Sequence, residues 1–183
     1  MSRVVGVDPG ASGAAALVVR GRVGFEVLDW LTWEPRGDRV AMQGAGDDVS
    51  DVVDCVWTRM EWWAAEVRRA GGYTLVVERI HPTSKAPAGS IIALAESAGA
   101  AMGVLGSRGE PVRRARASAW RADVLRLGGG PAAKLEAYAV QRVMRDGLTP
   151  VGEVNFVRAL PRLTKVREGA LAEAVCMGVW GLL

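Results

Sequence analysis

The sequence predicts an α/β protein in which a mixed central sheet of about five strands is flanked by helices. Short β-branched runs bounded by Gly, Pro and Asp precede longer segments whose apolar residues recur at helical spacing. Half of the 183 residues are hydrophobic and 23% are charged, which is typical of a globular chain with a sizeable core. We find no linker, internal repeat or low-complexity tract, so we expect a single domain over residues 1–183.

Three strands are expected to open the chain as an antiparallel meander. The run Val4–Val7 is β-branched and apolar, and Ala14–Val19 forms a second apolar run. In Arg22–Asp29 apolar and polar residues alternate, as in a half-buried strand. Residues 32–48 are rich in Gly, Pro, Asp and Arg, which indicates a loop or a frayed hairpin.

Helices and two more strands are expected to follow, separated by glycine-marked breaks. The predicted elements are a helix after Ser50, a strand at Thr74–Glu78, a helix at 87–106, a strand at Pro111–Ala117, helices at Trp120–Leu127 and Ala132–Arg145, and a closing helix at roughly Arg167–Leu182. The 87–106 helix is unusually rich in Ala, Gly and Ser. Because glycine costs ~1 kcal/mol inside a helix, these small residues indicate close packing against the sheet or against a partner subunit.

Two predicted strands end in a carboxylate. Asp8 closes the first strand and is followed by a Pro-Gly turn, and Glu78 closes the strand at 74–78. Asp8 is either a turn aspartate that bonds the amides of Ala11 or Ser12, or a metal or phosphate ligand. If the two strands are parallel neighbours, both carboxylates emerge at the same edge of the sheet.

A third acid, Glu173, lies among apolar residues on the closing helix, where a charge has no value for solubility. Three carboxylates at one site repel each other, and a divalent cation relieves that repulsion. All-oxygen sites suit Mg²⁺ or Mn²⁺, and two such ions ~4 Å apart serve phosphodiester hydrolysis. The alternative is three unrelated surface acids, each ordinary for its position.

Basic residues cluster in two segments. Between Arg108 and Arg126 arginines far outnumber the acids, which are only Glu110 and Asp123, and residues 158–167 are basic with no acid at all. A solvated surface is the simpler explanation, but the bias favours a polyanion partner, and nucleic acid is the leading one.

These motifs together resemble a known family. GVDPGASG resembles the opening strand of RuvC-type Holliday-junction resolvases, with Asp8 as the metal ligand, and LVVERIHP resembles the second acidic strand, with Glu78. PVRRARASAWRADVLRLGGGPAAKLEAYAV resembles the strand, tryptophan helix and lysine-led helix that follow, with Lys134 at the lysine. LAEAVCMG resembles the closing helix, with Glu173 at its acid. The chain is most similar to the shorter, phage-type members.

The resemblance implies an RNase H-like fold, a Mg²⁺- or Mn²⁺-dependent endonuclease with two ions per site, and branched DNA as substrate. It also implies a homodimer, because paired nicks in a four-way junction need two sites related by a two-fold axis, and the 87–106 helix is the candidate interface. The expected DNA contacts are Arg79, His81, Lys85, Arg113, Arg114, Arg116, Arg121, Lys134 and Lys165.

The chain departs from the family pattern at one position. The family has an acid or a histidine three residues before Glu173, and this chain has Ala170. Glu168 lies ~140° around the helix from Glu173, so it substitutes only if the helix starts late or bends. Lys165 or a water molecule is the other candidate for that place.

Two other functions compete with the nuclease. Ala170 motivates a non-catalytic protein that binds branched DNA. The turn after Asp8 also resembles the phosphate-binding turn of actin-like and sugar-kinase-like ATPases, although those need two such domains and a second phosphate motif. The opening residues lack the apolar core of a signal peptide, so we expect a cytoplasmic protein in a bacterial or phage-infected cell.

Overall fold

The computed structural model describes residues 2–36, 39–47, 51–53, 56–79, 88–128 and 130–183. Within these ranges the strands are β1 Arg3–Asp8, β2 Gly13–Arg20, β3 Gly24–Arg36, β4 Arg39–Gly44, β5 Asp51–Val53, β6 Thr74–Glu78, β7 Val112–Ala115, β8 Leu148–Thr149 and β9 Gly152–Phe156. The helices are α1 Val56–Arg69, α2 Ala88–Leu105, α3 Ala117–Leu125, α4 Ala132–Ala139 and α5 Lys165–Leu182. A π-helical segment, Val140–Arg145, continues α4.

The sheet is mixed, and its order confirms the predicted α/β class. The main path runs β5-β4-β3-β2-β1-β6-β7. β1, β2 and β3 are antiparallel neighbours, as the predicted meander requires, whereas β1, β6 and β7 run parallel. Three antiparallel strands followed by two parallel ones is the RNase H-like arrangement that the resemblance implies. The carboxyl ends of β1 and β6 therefore lie at the same edge of the sheet.

The predicted number of about five strands is wrong: nine strands belong to the sheet in the described part of the chain. β3 extends to Arg36 and pairs antiparallel with β4, so the described part of residues 32–48 follows the hairpin alternative and not the loop. The outer edge of β3 pairs with β9 along its first part and with β4 along its last part. Both partners satisfy backbone groups that would otherwise be exposed, and the β9 pairing joins segments more than 100 residues apart in sequence.

Helix α5 packs directly on β1 and β2, and two glycines allow this close approach. A Cβ on Gly6 would overlap the backbone of Ala174 and Gly178, and a Cβ on Gly178 would overlap Val18. The core on this face includes Trp30, Trp120 and Leu171, and α1 and α2 cover the opposite face. The approach brings the middle of α5 over the carboxyl end of β1.

Helices α2 to α5 begin within three residues of their predicted starts, whereas α1 begins at Val56 and not directly after Ser50, because Asp51–Val53 form strand β5. α2 and α5 match the expected ranges to within about two residues, and α3 starts at Ala117, three residues earlier than predicted. α5 begins at Lys165, where the Thr164 side chain accepts a hydrogen bond from the Arg167 N–H and so caps the helix. Across the described helices, none is long and apolar enough to cross a membrane.

Candidate metal centre

The structure brings together the three acids that the sequence singled out. Asp8, Glu78 and Glu173 each offer a carboxylate oxygen, and these three oxygens lie within 4.8 Å of one another. All three residues are partly buried. Among the residues that the structure describes, no other group of three or more acidic, histidine or cysteine side chains has metal-binding spacing.

Parallel pairing and close helix packing explain the convergence. Val7 of β1 is in register with Val77 of β6, so Asp8 and Glu78 follow as neighbours at the same edge. Glu173 precedes Ala174, whose backbone lies against Gly6 of β1. Two strand ends and one helix face thus place their carboxylates at a common point.

The loop after Asp8 is held by its own contacts. The Gly10 N–H donates to Asp8 Oδ1 at 3.4 Å, and the Trp33 indole donates to the Gly10 carbonyl at 3.1 Å. Asp8 does bond an amide of its own turn, as the turn-aspartate alternative expected, but that amide belongs to Gly10 and not to Ala11 or Ser12. One long hydrogen bond leaves most of the Asp8 carboxylate available to another ligand.

The electrostatics of the three acids favour a cation. Burial, followed by repulsion from Glu173 and Glu78, raises the pKa of Asp8 well above its ordinary value. Burial and repulsion from Glu173 raise the pKa of Glu78 to about 7. Burial also raises the pKa of Glu173. Clustered, desolvated carboxylates of this kind are stabilised when a divalent ion neutralises them, so the oxygen-only donor set fits Mg²⁺ or Mn²⁺.

Arg121 is the basic partner of this cluster. Its guanidinium donates to Glu173 Oε1 at 3.0 Å, with both side chains less than a fifth exposed, and it lies 4.8 Å from the centre of the Trp120 ring. The sequence predicted Arg121 as a phosphate contact, and the structure shows it bound to an acid of the candidate metal centre. One guanidinium can balance only one of the three carboxylates.

A cleft of about 450 Å³ lies between α3 and the start of α4. Arg116 and Arg121 line it, together with Ser118 and the glycines that precede α4. Two of the predicted DNA contacts therefore share one cleft, and Arg121 connects it to the acidic cluster through Glu173.

The remaining predicted DNA contacts are spread over the surface. Arg79, Arg114, Lys134 and Lys165 are exposed. Arg113 points to the far end of α5, where it donates to the Gly181 carbonyl at 3.0 Å and stacks 4.6 Å from the Trp180 ring centre. Gly181 is eight residues from Glu173, or about 12 Å along the helix. His81 and Lys85 lie outside the described residues.

Glu168 does not join the other acids. Both of its carboxylate oxygens accept from Arg145 at 2.7 Å. Glu168 could replace the missing acid only if α5 started late or bent, but the helix begins at Lys165 and runs unbroken through Glu173. Ala170, at the position where the resemblance expects an acid, is buried and only 5% exposed.

A residue that the sequence argument missed lies close to the site. Glu136 on α4 contacts Gly169 of α5, and its negative charge raises the pKa of both Asp8 and Glu173. The sequence carries a signal for it: Ala139, Val140 and Val143, which follow at three, four and seven residues, share its helix face and are buried or half-buried. An acid on an apolar face was the observation that identified Glu173, and it applies equally to Glu136.

Known proteins resemble this chain in structure but not detectably in sequence. Neither a protein-family model nor a curated protein matches the chain. Two solved structures align with 98% of it: RuvC of T. thermophilus in complex with Holliday junction substrate, at 14% identity over 92% of that chain with a TM-score of 0.49, and Thermus thermophilus RuvC, at 17% over 95% with a TM-score of 0.44. TM-scores below 0.5 do not establish a shared fold, so the class of this protein rests on its own topology and geometry. It is a mixed α/β protein of RNase H-like strand order with a three-carboxylate candidate metal centre.

Proposed function

We propose that this chain is a metal-dependent endodeoxyribonuclease. More particularly, we propose a RuvC-type resolvase that cuts Holliday junctions and other branched DNA by paired phosphodiester hydrolysis. The observation that carries the proposal is the convergence of Asp8, Glu78 and Glu173 within 4.8 Å at the ends of two parallel strands. The resemblance of the ordered sequence motifs to the shorter, phage-type members supports the same substrate class.

In this proposal Asp8, Glu78 and Glu173 hold the metal through carboxylate oxygens. Two Mg²⁺ or Mn²⁺ ions held by these carboxylates would supply activation of a water and stabilisation of the leaving oxygen of a phosphodiester. The Gly10 N–H and the Trp33 indole orient the Asp8 loop, so the first ligand is positioned before metal arrives. Arg121, bound to Glu173, offsets part of the negative charge that would repel a DNA phosphate.

The basic cleft gives the centre a route to DNA. Arg116 and Arg121 line about 450 Å³ of open space, Arg121 also binds Glu173 of the centre, and Arg114 and Lys134 are exposed on neighbouring elements. Contacts from such side chains to phosphates hold DNA in register without reading its sequence. We therefore propose that a strand of the junction enters through this cleft.

We also propose that the protein acts as a homodimer through α2. Ala98, Ala101 and Leu105 bury one face of this helix, while Cβ atoms on Gly99 and Gly103 would meet nothing within 4 Å. Ile92, 57% exposed, lies on the same open face, at helical spacing from Gly99. A small-residue face allows a second helix to approach closely, and the two-fold axis of such a dimer would present two metal centres to one junction.

Cleavage of a labelled four-way junction tests the proposal. The wild-type chain should cut the junction only when Mg²⁺ or Mn²⁺ is present. Asp8→Asn removes one ligand charge and should reduce the rate by at least about 10³-fold while junction binding remains, because the phosphate contacts are untouched. Glu153→Gln, at an exposed carboxylate on β9, is the matched control and should cut at the wild-type rate.

The same experiment separates the competing functions. Junction binding without cutting at any Mg²⁺ or Mn²⁺ concentration would support a non-catalytic junction-binding protein, which the buried Ala170 motivates. Turnover of ATP without nuclease activity would support the actin-like or sugar-kinase-like alternative. Either result would refute the nuclease proposal.

A further inference from the structure

Helix α5 has a notch at Gly169, and the side chain of Glu136 fills it. A Cβ placed on Gly169 would overlap Glu136 Oε1 and would come within 2.8 Å of its Cδ. Any residue other than glycine at 169 would therefore displace the Glu136 carboxylate. The absence of a side chain at this point of α5 is what lets an acid from α4 approach the helix.

The notch lies at the level of the missing acid. Gly169 is one helical turn before Glu173, about 6 Å along the axis, and it precedes Ala170 directly. The Glu136 carboxylate thus approaches the same turn of α5 from which the resemblance expects the fourth ligand.

Glu136 has no basic partner in the described ranges, although basic residues line the same cavity. This cavity of about 410 Å³ is lined by Glu136, Arg145, Lys165 and Glu168, among others. Arg145 donates to both carboxylate oxygens of Glu168 at 2.7 Å. No ion pair or hydrogen bond joins Glu136 to a basic residue that the structure describes. A partly buried acid without an ion-pair partner, packed against α5 one turn before Glu173, is unfavourable unless a cation joins it.

We propose that Glu136 is the fourth carboxylate of the metal centre and that α4 supplies the ligand which Ala170 cannot supply from α5. Gly169 is then a positioning residue, because its missing side chain gives Glu136 access. The inference rests on the proposed metal-dependent function, and it extends that function to a ligand set drawn from four elements: β1, β6, α4 and α5.

Mn²⁺ binding measured by titration calorimetry and by the paramagnetic resonance of free Mn²⁺ tests the inference without any activity assay. Glu136→Gln keeps the shape of the side chain and should weaken Mn²⁺ affinity about tenfold or more, since even outer-shell partners of a metal site are worth 10- to 100-fold. Gly169→Ala keeps the Glu136 charge but fills the notch, and it should weaken affinity to a similar extent. Because alanine is favoured over glycine inside a helix and only a flexible side-chain end must move, α5 should remain folded.

Glu168→Gln is the matched control, because it removes a carboxylate from the same cavity that already has an arginine partner. It should change Mn²⁺ affinity less than about twofold. The double variant Glu136→Gln with Gly169→Ala should bind no more weakly than Glu136→Gln alone, since both changes remove one interaction.

The outcomes distinguish this inference from the function on which it rests. If Asp8→Asn weakens Mn²⁺ binding but Glu136→Gln behaves like Glu168→Gln, the metal centre stands and the role of Glu136 is refuted. If Glu136→Gln weakens binding but Gly169→Ala does not, Glu136 acts through its charge alone and is not a ligand. If the wild-type protein binds no Mn²⁺ at all, both the metal-dependent function and the inference fail.

Discussion

Glu78→Gln should make the metal-free protein more stable at pH 8, although it removes a proposed ligand. Burial and the neighbouring Glu173 raise the pKa of Glu78 from 4.5 to about 7, so the folded protein holds the ionised carboxylate unfavourably. A rise of this size corresponds to about 3 kcal/mol of destabilisation at pH 8. Glutamine has nearly the same shape and carries no charge, so the substitution should recover much of that free energy.

The pH dependence follows from the sign of the shift. Because the pKa of Glu78 is higher in the folded state, the folded protein binds more protons than the unfolded chain between pH 4.5 and about 7, and stability falls as pH rises through that window. The advantage of Glu78→Gln should therefore be about 1 kcal/mol at pH 5 and about 3 kcal/mol at pH 8.

Urea denaturation followed by tryptophan fluorescence, at pH 5 and pH 8 with a chelator present, measures this difference. Adding Mn²⁺ should stabilise the wild-type protein and reverse the ranking, because the ion binds the folded state only. Glu153→Gln, at an exposed carboxylate, should show no pH-dependent advantage. An equal advantage for Glu78→Gln at both pH values, or a loss of stability at pH 8, would refute the assignment of Glu78 to a repulsive, buried cluster.

Two further predictions concern the arginines near the site. Arg121→Gln should lower the free energy of unfolding of the metal-free protein at pH 8 by about 1–3 kcal/mol, because it leaves the buried Glu173 carboxylate without its partner. Urea denaturation measures this loss of stability, which should be smaller when Mn²⁺ is saturating. If Mn²⁺ left the loss of stability unchanged, Arg121 and the metal would not act on the same carboxylate cluster. Junction affinity should fall steeply with salt in a binding titration, and Arg116→Gln should reduce the slope of log K against log salt by about 1. Arg113→Gln, at the far end of α5, should leave the slope nearly unchanged, and a flat wild-type salt response would refute phosphate binding.

Local patterns in the sequence were sufficient to locate most strands and helices and to select three acids. The strand at Thr74–Glu78 matches β6 residue for residue, because a short apolar run bounded by Gly-Gly and a carboxylate has few other solutions. Asp8 and Glu78 stood out since each ends such a run. Glu173 stood out because a charge among apolar helix residues needs a compensating interaction.

Other features depend on partners that are remote in sequence. β9 alternates polar and apolar residues over only four positions, Glu153 to Phe156, which is too short a pattern to stand out, and it pairs with β3 across more than 100 residues. Sequence alone also placed Arg113 and Arg121 in one phosphate-binding set. The structure separates them: Arg121 turns into the acidic cluster, whereas Arg113 binds the last turn of α5.

The fourth position of the proposed metal centre shows most clearly which features the sequence determines and which depend on tertiary packing. The resemblance identified Ala170 as the place where an acid is missing, since the family has an acid or a histidine there, and helix periodicity places that position ~60° around α5 from Glu173. Whether another element fills that place depends on how α4 packs on α5, and this in turn depends on a side chain that Gly169 does not have. Helix periodicity is local and can be read along the chain, whereas the approach of a carboxylate through a notch in a neighbouring helix exists only once the two helices are packed.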